Sequence, residues 1–261
     1  MGLFEWLSMG AALGDEADAR APKLAAPEKF FDGLPLALLR SALAGDEAAV
    51  RRTIAQGANP NAQGPATTDK SKPQLTLLHY AAGVRNPGAM ALLVAAGADP
   101  LFEPRKDDGP PMFFLIARGD AQMLDALFRL CPMSKVSQAL QIEMAKSTIP
   151  FHCRPCLEVM FKHGMSPAIS DVRNYNLFMV ALSNEDLDLA EWLLTEIRVP
   201  LDTMTSYGLT PANYVQEDLA RYRPGTPTHN SYLKFKAYME RQGIQFPVET
   251  SAEWRVRMGV K

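Results

Sequence analysis

The sequence predicts an all-α fold, a solenoid of about six helix-turn-helix repeats that each continue into an extended finger. The first observation is a recurring segment end near residues 57, 97, 131, 164, 197 and 243. The second is that the steps between these ends are 40, 34, 33, 33 and 46 residues, because fixed periods of this length are typical of repeat proteins. The third is the helical spacing of leucines before the ends, as in Leu124 and Leu127 or Leu189 and Leu193.

The best-defined repeat is the second one. It contains Thr76-Leu77-Leu78-His79-Tyr80-Ala81-Ala82, and Gly97-Ala98-Asp99 follows 21 residues after Thr76. These segments resemble the Thr-Pro-Leu-His-x-Ala-Ala box and the Gly-Ala-Asp ending of ankyrin repeats, with Leu77 in place of the proline. Gly57-Ala58-Asn59 ends the first repeat in the same way, and Gly208-Leu209-Thr210-Pro211 matches the turn that opens a repeat. The resemblance implies an ankyrin-repeat domain over residues 34–246.

The flanking and connecting segments follow from this register. We expect an N-terminal extension and cap at residues 1–33 and a C-terminal tail at residues 247–261 that folds back on the last repeat or lies extended. The two long steps predict an enlarged first finger at 62–73 and a loop at 221–230 between the last two helices. Thr210 and Pro211 have the chemistry to cap and begin a helix. In the ankyrin box, His79 is expected to bond the backbone of the adjacent repeat's turn instead of acting in catalysis.

Composition narrows the class of protein. Hydrophobic residues make up 47% of the 261, and the net charge is −2, which is typical of a folded chain and does not indicate nucleic-acid binding. No apolar stretch reaches the length of a membrane span, and Glu5 interrupts what would be the apolar core of a signal peptide. The sequence therefore predicts a cytoplasmic chain, or a periplasmic one if a native signal peptide has been removed.

No catalytic motif is present. The sequence lacks Gly-x-Ser-x-Gly, His-Glu-x-x-His and a glycine-rich phosphate loop, so we predict no enzyme, no cofactor and no bound metal. Cys153 and Cys156 form a Cys-x-x-Cys pair, and three readings stay open: ordinary buried cysteines, a local disulfide, or a redox or zinc role with His163. Cys131 is expected to stay unpaired with either.

The ankyrin resemblance implies a binding groove formed by finger tips and the exposed ends of first helices. Tyr and Arg side chains are favoured as anchors because they are enriched at interface hot spots. The candidate partner-binding residues are Lys72, Gln74, Arg105, Lys106, Asp107, Asp108, Arg118, Arg173, Asn174, Tyr175 and Tyr207. The loops at 62–73 and 221–230 are further candidates.

Three functions are compatible with these residues. The Phe30-Phe31 lead-in and the irregular repeats resemble ankyrin-type immunity proteins that bacteria pair with secreted antibacterial effectors, including phospholipases. That resemblance implies a non-enzymatic chain, monomeric when free, that occludes the active site of one secreted toxin. The alternatives are a general scaffold or stress-response adaptor with several partners, and a redox or metal-linked protein that uses Cys153 and Cys156.

Overall fold

A computed structural model describes residues 24–64, 74–104 and 109–259, and these residues form thirteen α-helices without a β-strand. Six pairs of helices account for twelve of them, and this confirms the all-α repeat fold. The helices are α1 (Gly33–Leu43), α2 (Glu47–Ala55), α3 (Leu77–Gly83), α4 (Pro87–Ala95), α5 (Pro111–Ala117), α6 (Ala121–Leu130), α7 (Gln138–Thr148), α8 (Arg154–Lys162), α9 (Leu177–Ser183), α10 (Leu187–Trp192), α11 (Pro211–Arg221), α12 (Pro227–Arg241) and α13 (Ser251–Met258).

The described residues divide into two compact units. The first comprises the residues up to Val136 together with Phe151–Gly164, and the second comprises Ser137–Pro150 together with the residues from Met165 onward. In the first unit α3 packs on α1 and α5, while α6 packs on α4 and α8. In the second unit α9 packs on α7 and α11, while α10 packs on α12. Within each unit these contacts join first helices to first helices and second helices to second helices, while α1 also packs on α4. Neighbouring pairs in each unit thus bury apolar faces against one another.

A left-handed residue followed by a capping residue precedes the second helix in each of the first five pairs. The capping side chain accepts the backbone N–H three residues further on, which satisfies one of the free donors at a helix start. Cys153 takes this place before α8, where the other four pairs have Asp or Asn. The five dipeptides are Gly45-Asp46, Arg85-Asn86, Gly119-Asp120, His152-Cys153 and Glu185-Asp186.

His79 links one repeat to the next, as predicted. It is buried, and its Nδ1 lies 2.8 Å from Thr76 Oγ1 within the same capping box. The ring also bonds the backbone of Gly109, the residue before the cap of α5. Burial lowers the pKa of His79 to about 3, against the weaker opposing effect of the Gly109 bond, so the ring is neutral.

Asn213 makes the equivalent link in the last pair. It accepts a hydrogen bond from Thr210 N (2.8 Å), and its Nδ2 donates to Glu249 O (2.6 Å). Glu249 precedes Thr250, the cap of α13, just as Gly109 precedes the cap of α5. The α13 helix thus takes the place of the first helix of a following repeat.

The C-terminal segment folds back on the last pair through further contacts. Gln216 exchanges two hydrogen bonds with the backbone of Val248, and Ser251 Oγ donates to Tyr207 O. The Trp254 ring lies directly against Gly208. The limits of 34–246 for the repeat domain stay a prediction, but these contacts attach residues 247–258 to the second unit.

The loop predicted at 221–230 is wrong in its extent. The α11 helix ends at Arg221 and α12 begins at Pro227, so only residues 222–226 connect them. Thr226 caps α12 and Pro227 fills its first position, where a missing N–H costs nothing. The extra length of this repeat lies in its helices instead, which have 11 and 15 residues against 7 and 9 for α3 and α4.

Candidate protein-binding surface

The structure describes only part of the predicted binding set. Gln74 is half-buried, Arg118 lies in the first unit, and the remaining four described candidates lie on two fingers of the second unit. Those four are Arg173, Asn174, Tyr175 and Tyr207. Lys72, Arg105, Lys106, Asp107 and Asp108 lie outside the described residues, as do residues 65–73 of the first finger.

The first of the two fingers is a tight hairpin organised by Asp171. Its backbone N–H donates to Tyr175 O at 3.0 Å, and its carboxylate accepts the N–H groups of Arg173 and Tyr175, each at 2.9 Å. Asn174 takes the left-handed conformation that the turn requires, with φ of 61°. This network holds Val172 at the tip with 97% of its surface exposed.

The second finger lies beside the tip of the first. Ser206 N donates to Arg173 O at 3.1 Å, which joins the two fingers backbone to backbone. Buried Thr205 orders the turn, since its Oγ1 accepts the N–H of Leu209 at 3.0 Å. Met204 and Tyr207 are left exposed, at 41% and 40%.

An aromatic contact supports the fingers from α11. The rings of Tyr175 and Tyr214 meet edge to face with centroids 6.0 Å apart. Burial raises the pKa of the Tyr214 hydroxyl, and its hydrogen bond to Tyr175 raises the pKa further. Tyr175 is therefore half-buried as a support, while Tyr207 is free to contact a partner. We call the set Val172, Arg173, Asn174, Tyr175, Met204 and Tyr207 the finger surface.

A pocket of about 320 Å³ opens between α7 and the first finger. Lys146 is one of its lining residues, with Nζ 3.2 Å from Glu143 Oε1 and 3.9 Å from Asp171 Oδ2. The lining residues are Ala139, Ile142, Glu143, Lys146, Asp171, Val172 and Arg173. The pocket thus combines an apolar wall from α7 with two acidic and two basic side chains.

Arg118 follows the last residue of α5 in the first unit. Its guanidinium lies over the Phe114 ring, 5.3 Å from the centroid, and burial lowers its pKa. Stacking of this kind fixes the side chain in place. Arg118 is half-buried, so only part of it is open to a partner.

The three cysteines belong to the first unit, and the two fingers belong to the second. The structure joins Cys153 and Cys156 by a disulfide at the start of α8, with Cα atoms 5.3 Å apart, and both residues are buried. Cys131 is free and buried. His163 Nε2 lies 2.9 Å from Asp125 Oδ1 at the other end of α8, and the described part of the chain contains no cluster of three or more metal-binding side chains.

Sequence reasoning missed two parts of this surface. Val172 and Met204 are apolar residues at finger tips, and the signal was available in Val172, a β-branched side chain between Asp171 and Arg173 in a polar segment. The α7 wall of the pocket carried no signal, because its repeat lacks the ankyrin box.

Within the described residues, no helix has the length and apolar character needed to cross a membrane.

The comparisons with known proteins concern the fold. No family model matches the sequence, and no curated protein is similar to it. The helix pairs, the linked first helices and the projecting fingers define an ankyrin-repeat fold.

A solved structure supports that assignment. The chain is similar to the ankyrin repeat domain of Bcl-3, described as a unique member of the IkappaB protein family, with a TM-score of 0.60. The match covers 83% of this chain and 90% of that one at 14% sequence identity. A likeness at this identity concerns the fold alone.

Proposed function

We propose that this chain is a non-enzymatic protein-binding module whose finger surface grips one protein partner. The observation that carries the proposal is the ordered hairpin that presents Val172 almost fully exposed, beside Arg173 and Tyr207. A hairpin already fixed by Asp171 loses little conformational freedom on binding, and this raises affinity. Exposed apolar side chains grouped at one place are typical of an interaction surface.

The partner we propose is a secreted bacterial effector of the phospholipase type, blocked by occlusion of its active site. The support for this finer role is the sequence resemblance to ankyrin-type immunity proteins, together with a surface that projects from the repeats. A protruding, pre-ordered tip suits insertion into a concave active site. The scaffold alternative predicts several weaker partners on the same surface.

The redox alternative has less physical support. Thiol–disulfide exchange requires an accessible sulfur, whereas Cys153 and Cys156 are only 3% and 0% exposed. A variant carrying Cys153→Ser and Cys156→Ala that keeps full partner binding would remove this alternative.

The test is a binding titration with the purified candidate effector and a matched pair of charge reversals. Arg173→Glu changes the finger surface, and Lys234→Glu makes the same charge change at an exposed position of α12, outside the fingers. We expect Arg173→Glu to weaken binding by about tenfold or more, the loss of a hot-spot contact. We expect Lys234→Glu to leave the affinity within about twofold.

Enzyme assays separate the two protein-binding roles. A single effector bound at nanomolar affinity, with its lipase activity lost on binding, supports the immunity role. Micromolar, salt-sensitive binding to several proteins supports the scaffold. Equal effects of Arg173→Glu and Lys234→Glu would reject the finger surface as the binding site.

A further inference from the structure

We infer that the finger surface also recognises a second copy of this chain, in a weak two-fold symmetric dimer that a protein partner would displace. The observation is that a protruding side chain, Val172, lies next to a pocket that it helps to line. Val172 projects at 97% exposure from the rim of the pocket between α7 and the first finger. Because a two-fold dimer places the same patch on both sides, such a patch must complement itself.

The apolar parts of the patch match. The α7 wall of the pocket of about 320 Å³ offers exposed Ala139 and the alkyl stem of half-buried Lys146, while Ile142 is itself buried at 3% exposure. A two-fold axis beside the hairpin sets Val172 of each copy against the α7 wall of the other. Two otherwise solvated apolar side chains are buried at once, which is the driving force for association.

The charges match as well. Glu143 and Asp171 supply two negative charges, and Lys146 and Arg173 supply two positive ones, so the patch is neutral as a whole. Lys146 already lies between Glu143 and Asp171 within one chain. Arg173 is exposed. In the two-fold arrangement Arg173 of each copy faces Glu143 of the other, so the dimer contains two such ion pairs. Opposite charges facing across an interface fix its register and exclude wrong arrangements.

The dimer is expected to be weak because the patch is small. Stable interfaces bury about 800 Å² on each partner, and one valine tip with its surrounding charges covers much less. We expect a dissociation constant on the order of 100 µM, a transient interface. The chain is then monomeric at low concentration and dimeric at high concentration. An effector that binds the same surface more tightly displaces the second copy.

The test is sedimentation equilibrium of the purified chain, from low micromolar to nearly millimolar concentration. Wild type should show a mass that rises with concentration toward that of a dimer. Val172→Asp should weaken self-association by at least about tenfold. Val256→Asp makes the same substitution at a site that is 83% exposed on α13 and should leave self-association unchanged.

A charge exchange tests the two-fold arrangement itself. Arg173→Glu alone places Glu opposite Glu143, and Glu143→Arg alone places Arg opposite Arg173, so each variant should self-associate less than wild type. A mixture of the two variants restores both pairs and should form a mixed dimer. A wild-type mass that does not change with concentration, equal behaviour of the two aspartate variants, or no mixed dimer would each overturn the inference.

This outcome is independent of the proposed function, because self-association is measured without any partner. A dimer without effector binding rejects the proposed function alone. Effector binding without a dimer rejects this inference alone.

Discussion

Replacement of Gly208 by alanine should release the C-terminal segment from the last helix pair. Gly208 has a φ of 77°, and a methyl group at its Cα would overlap the Trp254 ring. Two costs therefore add: the left-handed backbone conformation of a residue with a Cβ, and the displacement of Trp254. The matched control is Gly225→Ala, since Gly225 has a φ of 84° and nothing within 4 Å of the added Cβ.

The two costs have different magnitudes at the two sites. A left-handed non-glycine residue costs about 1–2 kcal/mol, and this term applies to both variants. Loss of the contacts of half-buried Trp254 adds about 1–2 kcal/mol for Gly208→Ala only. We expect a total near 2–4 kcal/mol for Gly208→Ala and near 1–2 kcal/mol for Gly225→Ala.

The assay is urea unfolding of the two variants, with Trp254→Ala and the double variant Gly208→Ala/Trp254→Ala completing a cycle. In the Trp254→Ala background, Gly208→Ala should cost only its backbone term, because no ring remains to be displaced. Hydrogen exchange should show faster exchange in residues 247–258 for Gly208→Ala and no such change for Gly225→Ala. Equal free energies of unfolding for the two alanine variants, or a strictly additive cycle, would refute the reasoning.

Two further predictions concern His79 and the cysteine pair. The pKa of His79 falls from 6.5 to about 3 on folding. Below pH 6.5 the unfolded chain therefore binds a proton that the folded chain does not. As the pH is lowered from 6.5 toward 5, the free energy of unfolding should decrease by at most about 1.4 kcal/mol per pH unit. His79→Asn, which copies the Asn213 link, should remove that part of the slope in urea titrations, and an unchanged slope would contradict the assignment. Cys153→Ser/Cys156→Ala keeps a capping hydroxyl but opens a four-residue ring, and it should lower stability by about 2 kcal/mol relative to the oxidised wild type. The difference in free energy of unfolding between variant and wild type should decrease when both are measured with a reductant in the buffer. Equal free energies of unfolding without reductant would contradict a disulfide in the purified chain.

The sequence predicted the fold where local chemistry repeats. Thr76 and His79 form a capping box, and both that helix and the link of His79 to the neighbouring repeat could be inferred from residue types alone. Thr210 and Pro211 likewise predicted the start of α11, but the link made by Asn213 was not foreseen. The end near 197 was located correctly by spacing, but its form was not foreseen. Leu193–Ile197 closes as a π-helical turn, and Arg198 takes the left-handed position that glycine fills elsewhere.

The binding surface was predicted less completely, for a physical reason. Arg173 and Tyr207 could be found because fingers follow the repeat register, whereas the pocket depends on α7, which meets the finger only through tertiary packing. The order of the first finger also depends on the Asp171 hydrogen bonds, and polar composition alone does not distinguish an ordered hairpin from a solvated loop. The predicted extent of the loop at 221–230 was wrong for a related reason. Thr226 and Pro227 have the composition of a turn, but in the structure they begin a helix.

The capping position of Cys153 has a consequence for electrostatics. At the matching positions Asp46, Asp120 and Asp186 place a carboxyl group, which does not take part in redox chemistry, at the positive end of a helix. A sulfur in a disulfide carries no charge, and a reduced cysteine carries one only as the thiolate. Of the second helices in the first five pairs, α8 is thus the one whose capping residue can gain a negative charge only after two events, reduction of the disulfide and loss of the Cys153 thiol proton.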